Sequence, residues 1–261
     1  MVIGAIVALT ATFAAVTLIA TTARGSSPSA ARNVSDPEGV EGDGFTVWER
    51  NTDGTPVRFD PCSPIDVVLN ADQAPHGARA DLQAALARIA DASGLDLRLI
   101  GDTDEPPSDP RLPYQPERYG QRWAPVLVTW ARPTTRGVAL RDVDRGIAAP
   151  VAVGPRGDRT YVSGQVVLNA DRDDLRSGFE DREHAWGATL LHELAHLVGL
   201  GHVDDPAQLL YVYPGAGPVE LGDGDLAGLA AVGDTHGCRE VPPPGPVRVA
   251  RPASGTGHGV D

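Results

Sequence analysis

Lysine is missing: all 22 basic residues of the 261-residue chain are arginine. Codon usage in a GC-rich genome accounts for that, and no function attaches to it. Positive charge is scarce as well, since 35 acidic residues against 22 basic ones leave a formal net charge of −13. A nucleic-acid binder needs a basic face to displace counterions from phosphate. No arginine cluster supplies one here, so no nucleic-acid partner is expected. Cysteine occurs twice, at Cys62 and Cys238, and methionine only once, at Met1. What abounds is glycine (30) and proline (23), about a fifth of the chain. The usual share is roughly 12%, so long loops are expected rather than a helix bundle or a coiled coil.

Val2 to Ala23 is a run of 22 residues without charge, closed by Arg24. It exceeds the usual apolar core of a signal peptide and is long enough to span a bilayer. It has no positive segment before it, although Thr21-Thr22-Ala23 offers small residues for cleavage. Residues 1–23 therefore read as a signal peptide or an N-terminal membrane anchor, and the two stay open. In either case the remainder is exported: secreted, or held at the outer face of the cytoplasmic membrane by residues 2–23. The membrane is a partner only through that segment, if uncleaved. An exported domain with two cysteines usually pairs them.

Residues 24–44 are rich in Ser, Pro, Gly and Asp without apolar periodicity, and read as a flexible linker. Residues 240–261 begin a Pro- and Gly-rich tail with too little apolar surface to order itself. Between them lies one domain, 45–239. Ile65, Val67 and Leu69 alternate as in a strand, and Leu82, Ala85, Leu86 and Ile89 recur at helical spacing over 78–92. Leu95, Leu97 and Leu99 alternate again, a loop covers 101–122, and Val126–Trp130 reads as a buried strand. Val151–Val153 is a short strand and Tyr161–Leu168 a firmer one, with Ser163-Gly164 as its bulge. The pattern turns helical from His184 to Val198, and a last helix starts near Asp225. The fold class expected is α+β: a mixed sheet with two or three helices, acting as a monomer.

The stretch His192-Glu193-Leu194-Ala195-His196-Leu197-Val198-Gly199-Leu200-Gly201-His202 carries the chemistry. Histidines four apart on a helix share one face, so both rings can reach a single ion at about 2.0–2.1 Å. Glu193 follows the first ligand, near a metal without having to bind it. A helix running past Gly199 would carry His202 away, whereas a glycine with positive φ turns the chain back. Three neutral nitrogens leave a fourth position for water, the mark of a catalytic zinc site. Chance produces these five positions in such a chain with probability on the order of a few in 10⁵.

This stretch resembles the His-Glu-x-x-His-x-x-Gly-x-x-His signature of the metzincin metallopeptidases. The order of elements over 65–232 is most similar to the matrixin branch, as in secreted bacterial relatives. The resemblance implies a twisted mixed sheet with an edge strand over the cleft, a zinc-binding helix and two further helices. It implies one catalytic Zn2+ on His192, His196 and His202, with Glu193 as general base and acid in cleaving protein or peptide substrates. Tyr161–Leu168 would then be the edge strand that pairs with extended substrate, and Gly164 the place where that edge bends away. The alternative is a non-catalytic zinc-containing surface domain that binds extended peptides or protein partners.

Two departures stand out. Metzincins place a methionine in a tight turn after the third histidine, whereas Gln208–Pro214 puts Leu210 there. Leu and Met have similar volume, so zinc binding is expected to survive. Tyr211 and Tyr213 could line the site, with packing on the turn the better reading. Pro61-Cys62-Ser63-Pro64-Ile65-Asp66 resembles the propeptide cysteine switch of some matrixins. No folded propeptide is expected ahead of it, however, and a Cys62–Cys238 disulfide is the expected use of both thiols. His184, eight residues before His192, would share the ligand stripe on a continuous helix but reads as a solvent-facing or supporting residue at the helix start. Asp204 and Asp205, which could orient the free nitrogen of His202, read as a turn, and His236 as surface. Asp102, Asp104 and Glu105 are read as a solvated charge run, where Ca2+ is conceivable but not indicated because no EF-hand spacing is present.

Overall fold

The computed structural model describes residues 44–212 and 217–247. Residues 1–23 and 24–43, where a leader and a linker are expected, Tyr213 and the tail beyond 247 lie outside the described residues. The chain runs β1 (Thr46–Val47), β2 (Ile65–Asn70), α1 (Ala78–Ser93), β3 (Leu97–Asp102), α2 (Pro116–Tyr119), β4 (Val126–Ala131), β5 (Gly146–Val153), β6 (Thr160–Asn169), α3 (Trp186–Val198), β7 (Leu200–Gly201) and α4 (Asp223–Val232). Five strands form one mixed sheet in the order β3-β2-β4-β6-β5. Neighbours from β3 to β6 are parallel, and β5 alone runs antiparallel against β6. A second, two-residue ladder joins β1 to β7.

The apolar pattern explains the layering. Val67, Leu69, Val126, Val128, Trp130, Val166 and Leu168 share one core with Leu82, Leu86 and Ile89 of α1 and Leu190, Leu194 and Leu197 of α3. Alternate residues of a strand face opposite ways, so Thr129, Ser163 and Gln165 fall on the other face. There the loop before β4 supplies partners for Ser163 and Gln165. Arg111 donates to Ser163 Oγ at 2.7 Å and forms a buried ion pair with Glu105, while Gln165 Nε2 donates to the Ser108 carbonyl at 2.7 Å.

Several expectations need correcting. The strand at 160–169 is interior, paired with β4 on one side and β5 on the other, so it is not the edge. The edges are β3 and β5, and β5 is eight residues long where the sequence suggests only 151–153. Gly164 does not bend an exposed edge: a Cβ there would stand 2.7 Å from Leu197 Cδ1 and 2.9 Å from the Ala149 oxygen. Its lack of a side chain lets α3 press against the sheet. The bulge is not at Ser163-Gly164 either, because Val151 faces Ser163 and Ala152 faces Tyr161, which leaves Val162 over. Glu105 is no solvated charge but is 4% exposed against Arg111. The 101–122 loop carries the single turn of α2.

The two cysteines are joined, Cys62 to Cys238, across 176 residues of sequence. Around that link Arg58 donates to the Gly237 carbonyl at 2.7 Å, and Asp60 accepts from the backbone N–H of Arg239 at 2.9 Å. The start of the tail is described up to Val247 and has no regular secondary structure. Trp123 Nε1 donates to the Pro242 carbonyl at 3.0 Å. Among the described residues no helix is long and apolar enough to cross a membrane.

Candidate metal centre

Helix α3 is buried nearly all round, so its register is fixed by packing on every side. Near its end, His192 and His196 lie one turn apart. Gly199 closes the helix at φ +120°, a conformation costly to any residue with a Cβ. The chain then reverses into β7, whose pairing with β1 fixes the path toward His202. The backbone N–H of Trp48 donates to the Gly199 carbonyl at 2.7 Å, and Thr46 Oγ1 donates to the His202 carbonyl at 2.8 Å.

The result brings three nitrogens together. His192 Nε2 and His196 Nε2 are 3.0 Å apart, His196 Nε2 and His202 Nε2 3.1 Å, and His192 Nε2 and His202 Nε2 3.2 Å. Three corners of a tetrahedron around an ion at 2.0–2.1 Å lie ~3.4 Å apart, close to that spacing. His196 is the buried member, and the other two are partly exposed.

Proton positions decide whether such a triangle suits a cation. His192 Nδ1 lies 3.0 Å from the Leu209 carbonyl and His196 Nδ1 2.8 Å from the Leu200 carbonyl. A carbonyl only accepts, so each Nδ1 carries the hydrogen. In a neutral ring the Nε2 then presents a lone pair. Burial, followed by the neighbouring His196, Arg182 and His202, holds His192 well below the usual imidazole range and keeps it neutral. Lone pairs aimed at one another repel, and a cation between them relieves the repulsion. The donor set fits a divalent metal ion.

Glu193 does not belong to the triangle but is buried beside it, 6% exposed. A Cβ at Gly146, where β5 begins, would stand 2.9 Å from Glu193 Cγ, so edge strand and carboxylate are close neighbours. Burial first, and then repulsion from Asp144, pushes the Glu193 carboxyl up to about 8, against the pull of Arg182.

Leu210 is buried at 1% exposure with Leu209 at 0%. Their turn is pinned from α4. Asp225 accepts from the backbone N–H groups of Leu209 at 2.6 Å, Leu210 at 3.3 Å and Gly222 at 2.8 Å, while its own N–H donates to Gln208 Oε1 at 2.9 Å. Asp225 thereby holds the carbonyl that His192 uses. Tyr211 is partly exposed and bridges to Val203. Trp48 sets its ring edge-on to His196, with centroids 5.5 Å apart.

The remaining sequence candidates lie apart. His184 precedes α3 and pairs with Asp181 at 2.9 Å, so it is off the ligand stripe. Asp205 accepts from the Ala207 N–H at 3.0 Å and builds a turn. Asp102 and Asp104 pair with Arg79 and Arg118 at the surface, and His236 is exposed in a short 3-10 turn. Sequence reasoning missed Thr46, Trp48, Asp144, Arg182, Gln208 and Asp225. Asp225 alone left a signal, standing three residues after Gly222 at the helix start, where a carboxylate caps backbone N–H groups. No protein-family model matches the chain, and no curated protein matches it.

Proposed function

We propose that the chain is an exported zinc-dependent endopeptidase of the metzincin type, of the matrixin-like branch, acting on protein or peptide. One observation carries the reading: three imidazole Nε2 atoms lie within 3.2 Å of one another, with a buried carboxylate on the adjacent residue that is not among them. The element order β2-α1-β3-α2-β4-β5-β6-α3, in which α2 is a single turn, supports it. So does the Cys62–Cys238 disulfide, since such bonds persist outside the cytoplasm.

His192, His196 and His202 would hold the zinc. When bound, such an ion supplies Lewis acidity toward a peptide carbonyl and acidifies a water. In its ionised form, which a neighbouring bound cation would favour against the burial that raises its pKa, Glu193 takes the proton from the attacking water on a carboxylate oxygen and returns it to the amine nitrogen of the leaving peptide. The burial that isolates Glu193 keeps bulk water from competing for that proton. Extended substrate lies along the outer edge of β5, whose backbone groups no other described strand uses. Leu210 fills the position of the expected methionine as an apolar plug of similar volume.

The test is turnover of casein and a peptide library by the full, disulfide-bonded, zinc-loaded chain, beside a Glu193→Ala variant of equal zinc content. Cleavage by the parent and its loss in the variant are expected. Equal cleavage by both overturns the role of Glu193. No cleavage by a zinc-saturated parent overturns the enzyme and favours a zinc-containing binding domain.

A further inference from the structure

We infer that Arg182 is a positioning residue of the metal centre, setting the Leu209 carbonyl that orients His192. This rests on the reading that the three histidines hold an ion. Arg182 lies in the loop ahead of α3, and its guanidinium reaches across to the chain beyond the third histidine. Nη2 lies 3.0 Å from the Leu209 carbonyl and 3.2 Å from His192 Nδ1, and Nη1 lies 3.4 Å from the Pro218 carbonyl. The Arg182 carbonyl in turn accepts from Arg145 Nη1 at 2.7 Å, which fixes the loop itself.

An arginine has no acceptor, so its contact with His192 Nδ1 is not a hydrogen bond to a protonated ring nitrogen. Both groups donate instead to the same oxygen, whose two lone pairs they occupy together. With Nδ1 so engaged, the ring cannot turn, and its Nε2 stays aimed at the other two. The arrangement has a cost that makes it informative. A fixed positive charge beside a ligand opposes a bound cation by Coulomb repulsion, softened here by the nearby Glu193 and Asp225 carboxylates. If only charge mattered, losing Arg182 would strengthen metal binding. If positioning dominates, losing it weakens binding.

The experiment compares the full disulfide-bonded chain with Arg182→Met and Arg182→Lys. Zinc affinity is read by competition with a chelator, and ligand geometry by the visible spectrum of the cobalt-loaded protein. We expect Arg182→Met to bind zinc about 10–100-fold more weakly, as loss of a ligand's supporting partner does elsewhere, with a changed cobalt spectrum. Arg182→Lys keeps the charge and one donor and should fall between. Affinity equal to or above the parent in Arg182→Met, with an unchanged spectrum, overturns the role. Should that variant not fold, parental affinity and spectrum in Arg182→Lys overturn it equally. A parent chain that takes up no ion overturns the metal reading itself, seen in the same titration before any variant is made.

Discussion

Helix α3 and the chain from Gly199 to Cys238 each contribute to one cluster of imidazoles, but they are held in different ways. In α3 the regular backbone fixes the spacing of His192 and His196, and packing on all sides fixes the helix. Beyond it, among the described residues, no helix forms until Asp223. Position there depends on groups distant in sequence: Thr46 on the His202 carbonyl, Asp225 on the turn at Leu209, Arg182 on the Leu209 oxygen, and Cys62 on Cys238. A site can thus take half its precision from periodicity and half from individual bonds. The second half should be the easier to break.

The largest effect is expected from the disulfide. Opening a loop that spans 176 residues should cost about 4–5 kcal/mol on the chain-entropy model. Denaturant unfolding of the parent against a Cys62→Ser, Cys238→Ser double variant reads it, and equal midpoints would refute it. Next comes Asp225→Ala, which removes the acceptor of three buried or half-buried backbone donors. A loss of about 3 kcal/mol is expected from unsatisfied groups, together with weaker zinc binding. An unshifted melting temperature would show that the turn does not need its clamp. Gly199→Ala should cost about 2 kcal/mol, because the position requires φ +120° and strained backbone costs of that order. A Cβ there would also stand 3.1 Å from the Val57 oxygen. Calorimetry that finds no loss would mean the reversal after α3 tolerates a side chain. The smallest effect is Leu210→Met, within about 1.5 kcal/mol and without change in zinc affinity. A large gain in affinity would show that the leucine handicaps the site.

The same contrast governs what could be read from the sequence. The helix bearing His192 and His196, the turn at Gly199 and the pairing of Cys62 with Cys238 were legible, since each depends on spacing or on simple arithmetic. The edge strand was not. Gly146, Ala148, Ala149 and Pro150 have little strand propensity, and proline is tolerated on edges because it need not donate there. The apolar 161–168 strand therefore looked like the better edge, although burial on both faces marks it as interior. The contacts of Thr46, Arg182 and Asp225 were equally hidden. Ordinary polar residues in a chain leave no pattern, and their roles emerge only when the fold brings them to a carbonyl or an N–H.

The central claim is that His202, delivered by the bend at Gly199, completes a three-nitrogen site with the helical pair. Zinc content and affinity of the full chain beside a His202→Ala variant test it most directly. The account predicts one tightly bound zinc per chain in the parent and no tight zinc in the variant. A parent without a tight ion, or a variant that keeps the parent's affinity, would contradict it.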